Sequence, residues 1–229
     1  MSTMETNPTT PDAPRAARVF VVEDHPVVRE GLTLLIGSEA DLSVCGSAAS
    51  IAEALARIQE LSPDVVVVDL VLEDGNGLDL VKELHQRYAS LPMLVLSMHA
   101  ESTYAERALR AGAKGYIMKS EAMDKVRAAI RRVLKGEIYV SENMVSRMLD
   151  KLVHMRLPAV PSLVDSLTDR EFQVFRLIAD GVGPSEIARQ LDLSVKTVET
   201  HREHIKNKLG LKNGTELTRY ALQWQSEGR

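Results

Sequence analysis

Cysteine has almost no part in this chain: one, Cys45, stands among 229 residues. That excludes an internal disulfide and a metal cage built from cysteines. Cys45 lies in an apolar stretch and reads as an inert core residue rather than a reactive thiol. Aromatic residues make up 4% of the chain against 45% hydrophobic residues overall, so its cores should be aliphatic. Long apolar runs are missing, and no stretch reaches the length a bilayer requires. The first residues are rich in Thr, Pro and Ala and lack the apolar segment of a signal peptide, so residues 1–17 read as a disordered tail. A cytoplasmic protein with no membrane partner is the expectation. Positive charge is not in excess either. The net charge of −4 excludes a uniformly basic nucleic-acid binder, but leaves room for one basic helix.

What is present is a set of short apolar runs that end in reactive groups. Val19-Phe20-Val21-Val22 ends in Glu23-Asp24, and Val65-Val66-Val67-Val68 ends in Asp69. Met93-Leu94-Val95-Leu96 ends in Ser97, and Gly115-Tyr116-Ile117-Met118 ends in Lys119. Runs of this length between helix-like stretches read as buried parallel strands. Residues 42–48 read as a further strand near an edge. Helices are expected from Pro26 to about Ile36, over 51–61 behind the capping box Ser50-Ile51-Ala52-Glu53, and over 78–88, 102–111 and 121–135. Five strands alternating with five helices over residues 18–135 imply a doubly wound parallel sheet, flavodoxin-like in type.

In such a sheet a ligand sits beyond the carboxyl ends of the strands. Singly, Glu23-Asp24 could cap a helix, Asp69 could be a loop acid, Ser97 a turn hydroxyl and Lys119 a surface charge. Jointly they fall at the ends of four strands of one sheet. Mg²⁺ takes one or two carboxylates plus water and phosphate oxygens. Asp24 and Asp69 can supply those, with Glu23 reaching through water. A carboxylate beside the metal can attack phosphorus to give an aspartyl phosphate. Lys119 can neutralise a phosphoryl oxygen, and Ser97 can donate to another. His25 is expected to help cap the first helix, and His99 to face the mouth of the site.

After Gly136, residues 141–152 could form a short helix, and a segment with Pro158 and Pro161 reads as linker, so that 136–162 joins two domains. Residues 163–229 read as a small all-helical domain. Thr168-Asp169-Arg170-Glu171 is a second capping box, opening a helix that stops at Gly181. Helices are expected over 185–191 and 195–209, with the tight turn Asp192-Leu193-Ser194 between them, and over 215–225. A short helix, a tight turn and a longer helix make a helix-turn-helix. The longer one holds Lys196, Arg202, Lys206 and Lys208 against Glu199 and Glu203, a local +2. Charge alone fits a solvated face equally well; the turn before it favours a helix presented to the major groove.

Two resemblances attach to these residues. Val21-Val22-Glu23-Asp24-His25-Pro26, Asp69-Leu70 with Gly75-Asn76-Gly77-Leu78, Leu96-Ser97 and residues 112–119 resemble the receiver domain of two-component response regulators. Leu167-Thr168-Asp169-Arg170-Glu171, Ile187-Ala188, residues 193–201 and Lys208-Leu209-Gly210 resemble the LuxR-type helix-turn-helix. Together they place the chain near the NarL/FixJ family. The first resemblance implies that Asp69 accepts phosphate from a histidine kinase. It also implies Mg²⁺ on Asp24, Asp69 and the Val71 carbonyl, with Ser97 and Tyr116 as a switch pair and Lys119 on the phosphoryl group. Glu73 stands where many members carry proline. The second implies that residues 195–209 read DNA. Lys196, Thr197, His201, Arg202 and Lys208 are candidates for the phosphate backbone, and Glu199, Thr200 and Glu203 for base edges. One of the two glutamates could instead pair with Arg202 or Lys206. Gly183-Pro184 and Gly214 depart from the usual pattern. Leu217, Tyr220, Ala221 and Trp224 are expected mainly in the core of the last helix, with an apolar edge suited to a homodimer.

The expected protein is therefore a transcription regulator controlled by phosphorylation, with a sensor kinase and double-stranded DNA as partners. On uptake of phosphate, Ser97 moves, Tyr116 follows into the vacated space, and the reader helix is released or a dimer favoured. A phosphotransferase or phosphatase is the less favoured enzyme reading, because Val71 occupies the place of a second acid two residues after Asp69. A DNA-binding regulator indifferent to phosphate is the nearer rival.

Overall fold

The computed structural model describes residues 15–121, 123–154 and 163–226. Most of the tail expected over 1–17, and the segment with Pro158 and Pro161, lie outside them. The end of that expected tail is structured: Ala17 opens the first strand, and the Arg15 guanidinium pairs with Asp64 at 3.0 Å.

The N-terminal part runs β1 (Ala17–Val22), α1 (Pro26–Gly37), β2 (Leu42–Ala48), α2 (Ile51–Leu61), β3 (Val65–Asp69), β4 (Val71–Leu72), β5 (Gly75–Asn76), α3 (Gly77–Arg87), β6 (Met93–Ser97), α4 (Glu101–Ala111), β7 (Gly115–Met118) and α5 (Met123–Leu134). Five strands form one sheet in the order β2-β1-β3-β6-β7, every pair parallel. The side-chain period of two divides the runs between two cores. Val19, Val21, Val65, Val67, Leu94, Leu96 and Ile117 face α1 and α5. Phe20, Val22, Val66, Val68, Met93, Val95 and Tyr116 face α2, α3 and α4. Burial on both faces is why these strands lack polar alternation.

Local chemistry sets the ends of the helices. Ser50 accepts from the Glu53 amide, but the Glu53 carboxylate turns back to Ala49 N at 2.9 Å rather than to Ser50. Gly77 opens α3 where the chain folds against β3. A Cβ there would lie 1.9 Å from the Asp69 carbonyl oxygen, so no larger residue fits. The small hairpin of β4 and β5 was not expected from the sequence; Val71 pairs with Asn76 across it. Past α5, Tyr139 bridges to Gly115 along the free edge of β7.

The helix α6 (Glu142–His154) follows, with Met144 buried. Then come a 3-10 turn (Leu163–Ser166), α7 (Asp169–Ala179), α8 (Pro184–Gln190), α9 (Val195–Leu209) and α10 (Gly214–Ser226). The α7 capping box is complete: Thr168 accepts from Glu171 N, and the Glu171 carboxylate accepts from Thr168 N. Four of the nine aromatics cluster here. Trp224 meets Phe172 and Phe175 with ring centres 5.8 and 5.4 Å apart, and Tyr220 leans on Phe175. Val198, Ile205 and Leu209 are buried on one face of α9, as their spacing predicts.

Candidate functional site

The strand ends bring the expected groups together. Glu23 and Asp69 are buried, 1% and 4% exposed, and Ser97 is fully enclosed. Lys119, next after β7, places its Nζ 2.8 Å from Asp69 Oδ2 and 2.6 Å from Glu23 Oε2. Asp24 lies half-buried at the rim. Ligand atoms of Glu23, Asp24, His25 and Asp69 all lie within 4.8 Å of one another. Three acids against one lysine leave the pocket short of positive charge. Burial drives the Asp69 carboxyl up to about 6; Lys119 works against this, and Glu23 adds to it. Burial also opposes charge on Lys119, yet its bonds to Asp69 and Glu23 together hold its pKa above the ordinary value. A hard divalent cation fits such a set of crowded oxygens, with Asp24, Asp69 and Glu23 as its carboxylates. Val71 follows at the start of β4, and its amide also serves Asp69.

His25 departs from the sequence expectation. It precedes α1, but its side chain makes no capping bond. The ring stays largely exposed at the rim of the pocket and donates from Nδ1 to Asp24 Oδ1 at 2.7 Å, which raises its pKa.

Tyr116 and Ser97 meet on the other side of Asp69. The Tyr116 ring is 1% exposed, so it already fills the interior that the sequence reading had it enter later. Burial raises its pKa, with the Ser97 hydroxyl acting the other way. The Tyr116 hydroxyl donates to the His99 carbonyl at 2.8 Å, and the His99 amide donates to Ser97 Oγ at 3.2 Å.

His99 does not face the mouth of the site. Its ring stacks on Tyr104 of α4 at 4.9 Å and accepts from Arg176 of α7 at 3.3 Å. Burial, and then the Arg176 charge, push its pKa down to about 4. This contact extends into a wider one between the two halves of the chain. Arg107 of α4 donates to the Val164 carbonyl at 2.9 Å and the Leu167 carbonyl at 3.0 Å, and its guanidinium covers the Phe172 ring at 3.9 Å. Asp169, 6% exposed at the start of α7, pairs with Arg107 at 3.3 Å and with Lys82 of α3. None of these pairs could be read from sequence spacing. The nearest signal was Asp169 itself, an acid at a helix start with a capping role already assigned to its neighbour.

The contacts just described reach α7 and the turn before it, and leave α9 open. Lys196, Glu199, Thr200, Glu203 and Lys208 are exposed; Thr197, His201, Arg202 and Lys206 are half-buried. Helix α9 is thus already uncovered in this arrangement, so of the two expected consequences of phosphorylation, a favoured dimer or release of this helix, release has nothing here to act on. Both glutamates pair within the helix, Glu199 with Arg202 at 3.4 Å and Glu203 with Lys206 at 2.7 Å. Lys208, expected to point at a phosphate, reaches back to Glu171 at 2.7 Å. Thr197 shares its hydroxyl with Ser194, and Thr200 donates to the Lys196 carbonyl. His201 turns its Nδ1 inward, where it has no bonding partner. Arg202 Nη2 lies beside Gly214, 3.4 Å from where a Cβ would stand. Trp224 is half-buried and Leu222 exposed.

Comparison with known proteins agrees with this division. The response regulator receiver domain matches residues 19–131, and the luxR family of bacterial regulatory proteins matches residues 165–221. The oxygen regulatory protein NreC of Staphylococcus aureus is 36% identical over 210 residues, 90% of this chain and 97% of that protein. Among solved structures, a LuxR-family two-component response regulator from Aurantimonas is 33% identical with a TM-score of 0.56, over 60% of this chain and 99% of that one. RcsB from Salmonella enterica serovar Typhimurium, bound to promoter DNA with the phosphomimetic BeF₃⁻, is 26% identical with a TM-score of 0.59, over 90% of this chain and 98% of its own. Among the described residues, no helix is long and apolar enough to cross a membrane.

Proposed function

The chain belongs to the response regulators that join a receiver domain to a luxR-type DNA-binding domain, and from that premise we propose that Asp69 is its phosphoacceptor and α9 its DNA reader. Residues 18–135 are the receiver, 136–162 the connection and 163–229 the DNA-binding domain. The donor is a sensor histidine kinase. The observation that carries this reading is the convergence of Glu23, Asp24, Asp69, Ser97 and Lys119 on one end of the sheet, with Asp69 buried and short of positive charge.

Mg²⁺ suits the pocket, held by Asp24, Asp69 and the Val71 carbonyl with Glu23 through water; when bound it neutralises the acids and polarises the phosphoryl oxygens. Asp69 attacks phosphorus in line, the phosphorus–nitrogen bond to the donor imidazole breaks with its electron pair staying on nitrogen, and that ring, protonated on its other nitrogen, leaves as neutral imidazole. Lys119 already lies on Asp69 Oδ2 and is within reach of the arriving phosphoryl oxygens. Ser97 donates to another of them.

The structure suggests how the signal leaves the pocket. Ser97 Oγ now accepts from the His99 amide. Drawing Ser97 toward a phosphoryl oxygen breaks that bond and loosens the turn 97–99. The carbonyl of that turn holds Tyr116, and its His99 ring holds Arg176 of α7. Phosphorylation therefore biases the chain away from the α4–α7 contact and frees the DNA-binding domain to pair with that of a second copy on a two-fold operator. On α9, Lys196 is the leading phosphate contact, since it is exposed and at the start of the helix. Thr197, His201, Arg202 and Lys206 border the same face, and Glu199, Thr200 and Glu203 face bases. Lys208 contributes only where DNA outcompetes Glu171.

Genomic footprinting of the purified chain tests the whole reading, with and without a small acyl phosphate and Mg²⁺. New or stronger footprints are expected on phosphorylation, and none for Asp69→Asn. Equal gains in both proteins would overturn it.

A further inference from the structure

We propose that Val195 is a specificity residue of the DNA reader: its methyl groups meet the C5 methyl of a thymine in the major groove of the operator. The inference rests on reading α9 as the DNA helix, and adds one base class to that reading. It starts from which side chains at the start of α9 have a bond to give up. Ser194 Oγ accepts from the Thr197 amide at 3.0 Å and lies 2.8 Å from the Thr197 hydroxyl. The Thr200 hydroxyl donates to the Lys196 carbonyl at 3.0 Å, and Glu199 pairs with Arg202 at 3.4 Å. Val198 is buried in the core. Among the described residues 195–200, that leaves Lys196 and Val195 to reach outward with nothing to break. Lys196 suits a phosphate. Val195, 46% exposed, is the apolar one of the pair.

A singly exposed valine is ordinary on most surfaces. On the face offered to DNA it has a definite counterpart. The base edges in the major groove carry hydrogen-bonding groups, with one apolar group among them, the thymine methyl. Residues at the N-terminal end of a reader helix are the ones that reach base edges. The β-branch of valine keeps largely one rotamer in a helix, so little freedom is lost on contact. The Ser194 cap fixes the turn that carries it. A cytosine at the same step would lack the methyl and turn toward Val195 an amine that finds no acceptor on it.

The test uses the full-length chain. Duplexes are selected with it from a random-sequence pool, and affinity for a recovered duplex is measured with each thymine in turn replaced by deoxyuridine. That replacement keeps the base pair and removes the C5 methyl alone. For the native chain we expect uracil at one position of each half-site to weaken binding about fourfold, the worth of one buried methyl group. Val195→Ala should no longer respond to uracil at that position. Val195→Thr, which keeps one methyl on the same branched frame, should respond again. Alanine is the better helix former at an exposed position, so the variant keeps its helix, and its salt dependence stays native because no charge is lost. Uracil effects that are the same in the native chain and in Val195→Ala, or absent from both, would overturn the assignment and leave Val195 against sugar or solvent. If neither Val195→Ala nor Lys196→Ala altered binding to the selected duplex, α9 would not be the reader, and the premise rather than the choice of Val195 would fall.

Discussion

The acidic pocket and the outer face of α9 both collect charge, under opposite conditions. In the pocket, Glu23 and Asp69 are almost wholly enclosed and share one lysine. On α9, Glu199 and Glu203 stand in solvent and pair with Arg202 and Lys206 a turn away. Buried charges interact through little solvent, so each shifts its neighbours and none can be removed quietly. Exposed pairs are screened and contribute little to stability. The pocket is thus built to respond to one added group, and the helix to sum many weak contacts. The α4–α7 contact sides with the pocket, because Asp169 and Arg107 are largely buried there.

The sharpest way to break this comparison is at that contact. Asp169→Ala leaves Arg107 without its carboxylate partner, and removing one member of a buried pair costs about 3–5 kcal/mol. The exposed Lys82 keeps the loss toward the lower end. Small-angle scattering should show a more extended chain, and an unchanged profile would mean that the contact does not hold the halves together.

The pocket should also be a place where function costs stability. The Asp69 pKa is raised from 3.8 to about 6, so the group favours the fold only while protonated, and that support is lost as pH rises through about 6. In metal-free buffer at pH 7, Asp69→Asn should raise unfolding stability by roughly 2 kcal/mol, with the gain fading near pH 4. A destabilised variant would show that Lys119 outweighs burial. His99 supplies the opposite sign. Its pKa is depressed from 6.5 to about 4 among Tyr104, Arg176, Asp180 and Lys119, so the docked ring stays neutral while an undocked one takes up a proton below pH 6.5. Acidifying from pH 7 to pH 5 should weaken docking by roughly 1–2 kcal/mol, read as a change in interdomain energy transfer. Retention of the full effect in His99→Asn would assign it to another group.

The smallest effect belongs to α9. Lys196→Ala should lower affinity on all DNA sequences alike and flatten its salt dependence by about one unit. An unchanged slope removes Lys196 from the phosphate contacts, and a loss confined to one sequence makes it a base reader.

These regions also differ in how far they could be read in advance. The strands and the pocket follow from local rules: valine runs buried on both faces, with acids, a hydroxyl and a lysine at their ends. The helices of the C-terminal part follow from caps at Thr168 and Ser194 and from the 3.6-residue period of Val198, Ile205 and Leu209. Roles that depend on a distant partner did not follow. His25 stands where a cap is expected and turns to Asp24 instead. His99 joins α7 through Arg176, 77 residues away, and Lys208 is claimed by Glu171, 37 residues away. No periodicity encodes such pairs, because they exist only once two elements have docked.

The central claim is that Asp69 carries the phosphoryl group. The direct measurement is to treat the chain with a small acyl phosphate and Mg²⁺, reduce the product with borohydride, and sequence the peptides by mass spectrometry. An aspartyl phosphate is thereby converted to homoserine. The account predicts homoserine at position 69 and nowhere else; homoserine at another acid, or at none, would contradict it.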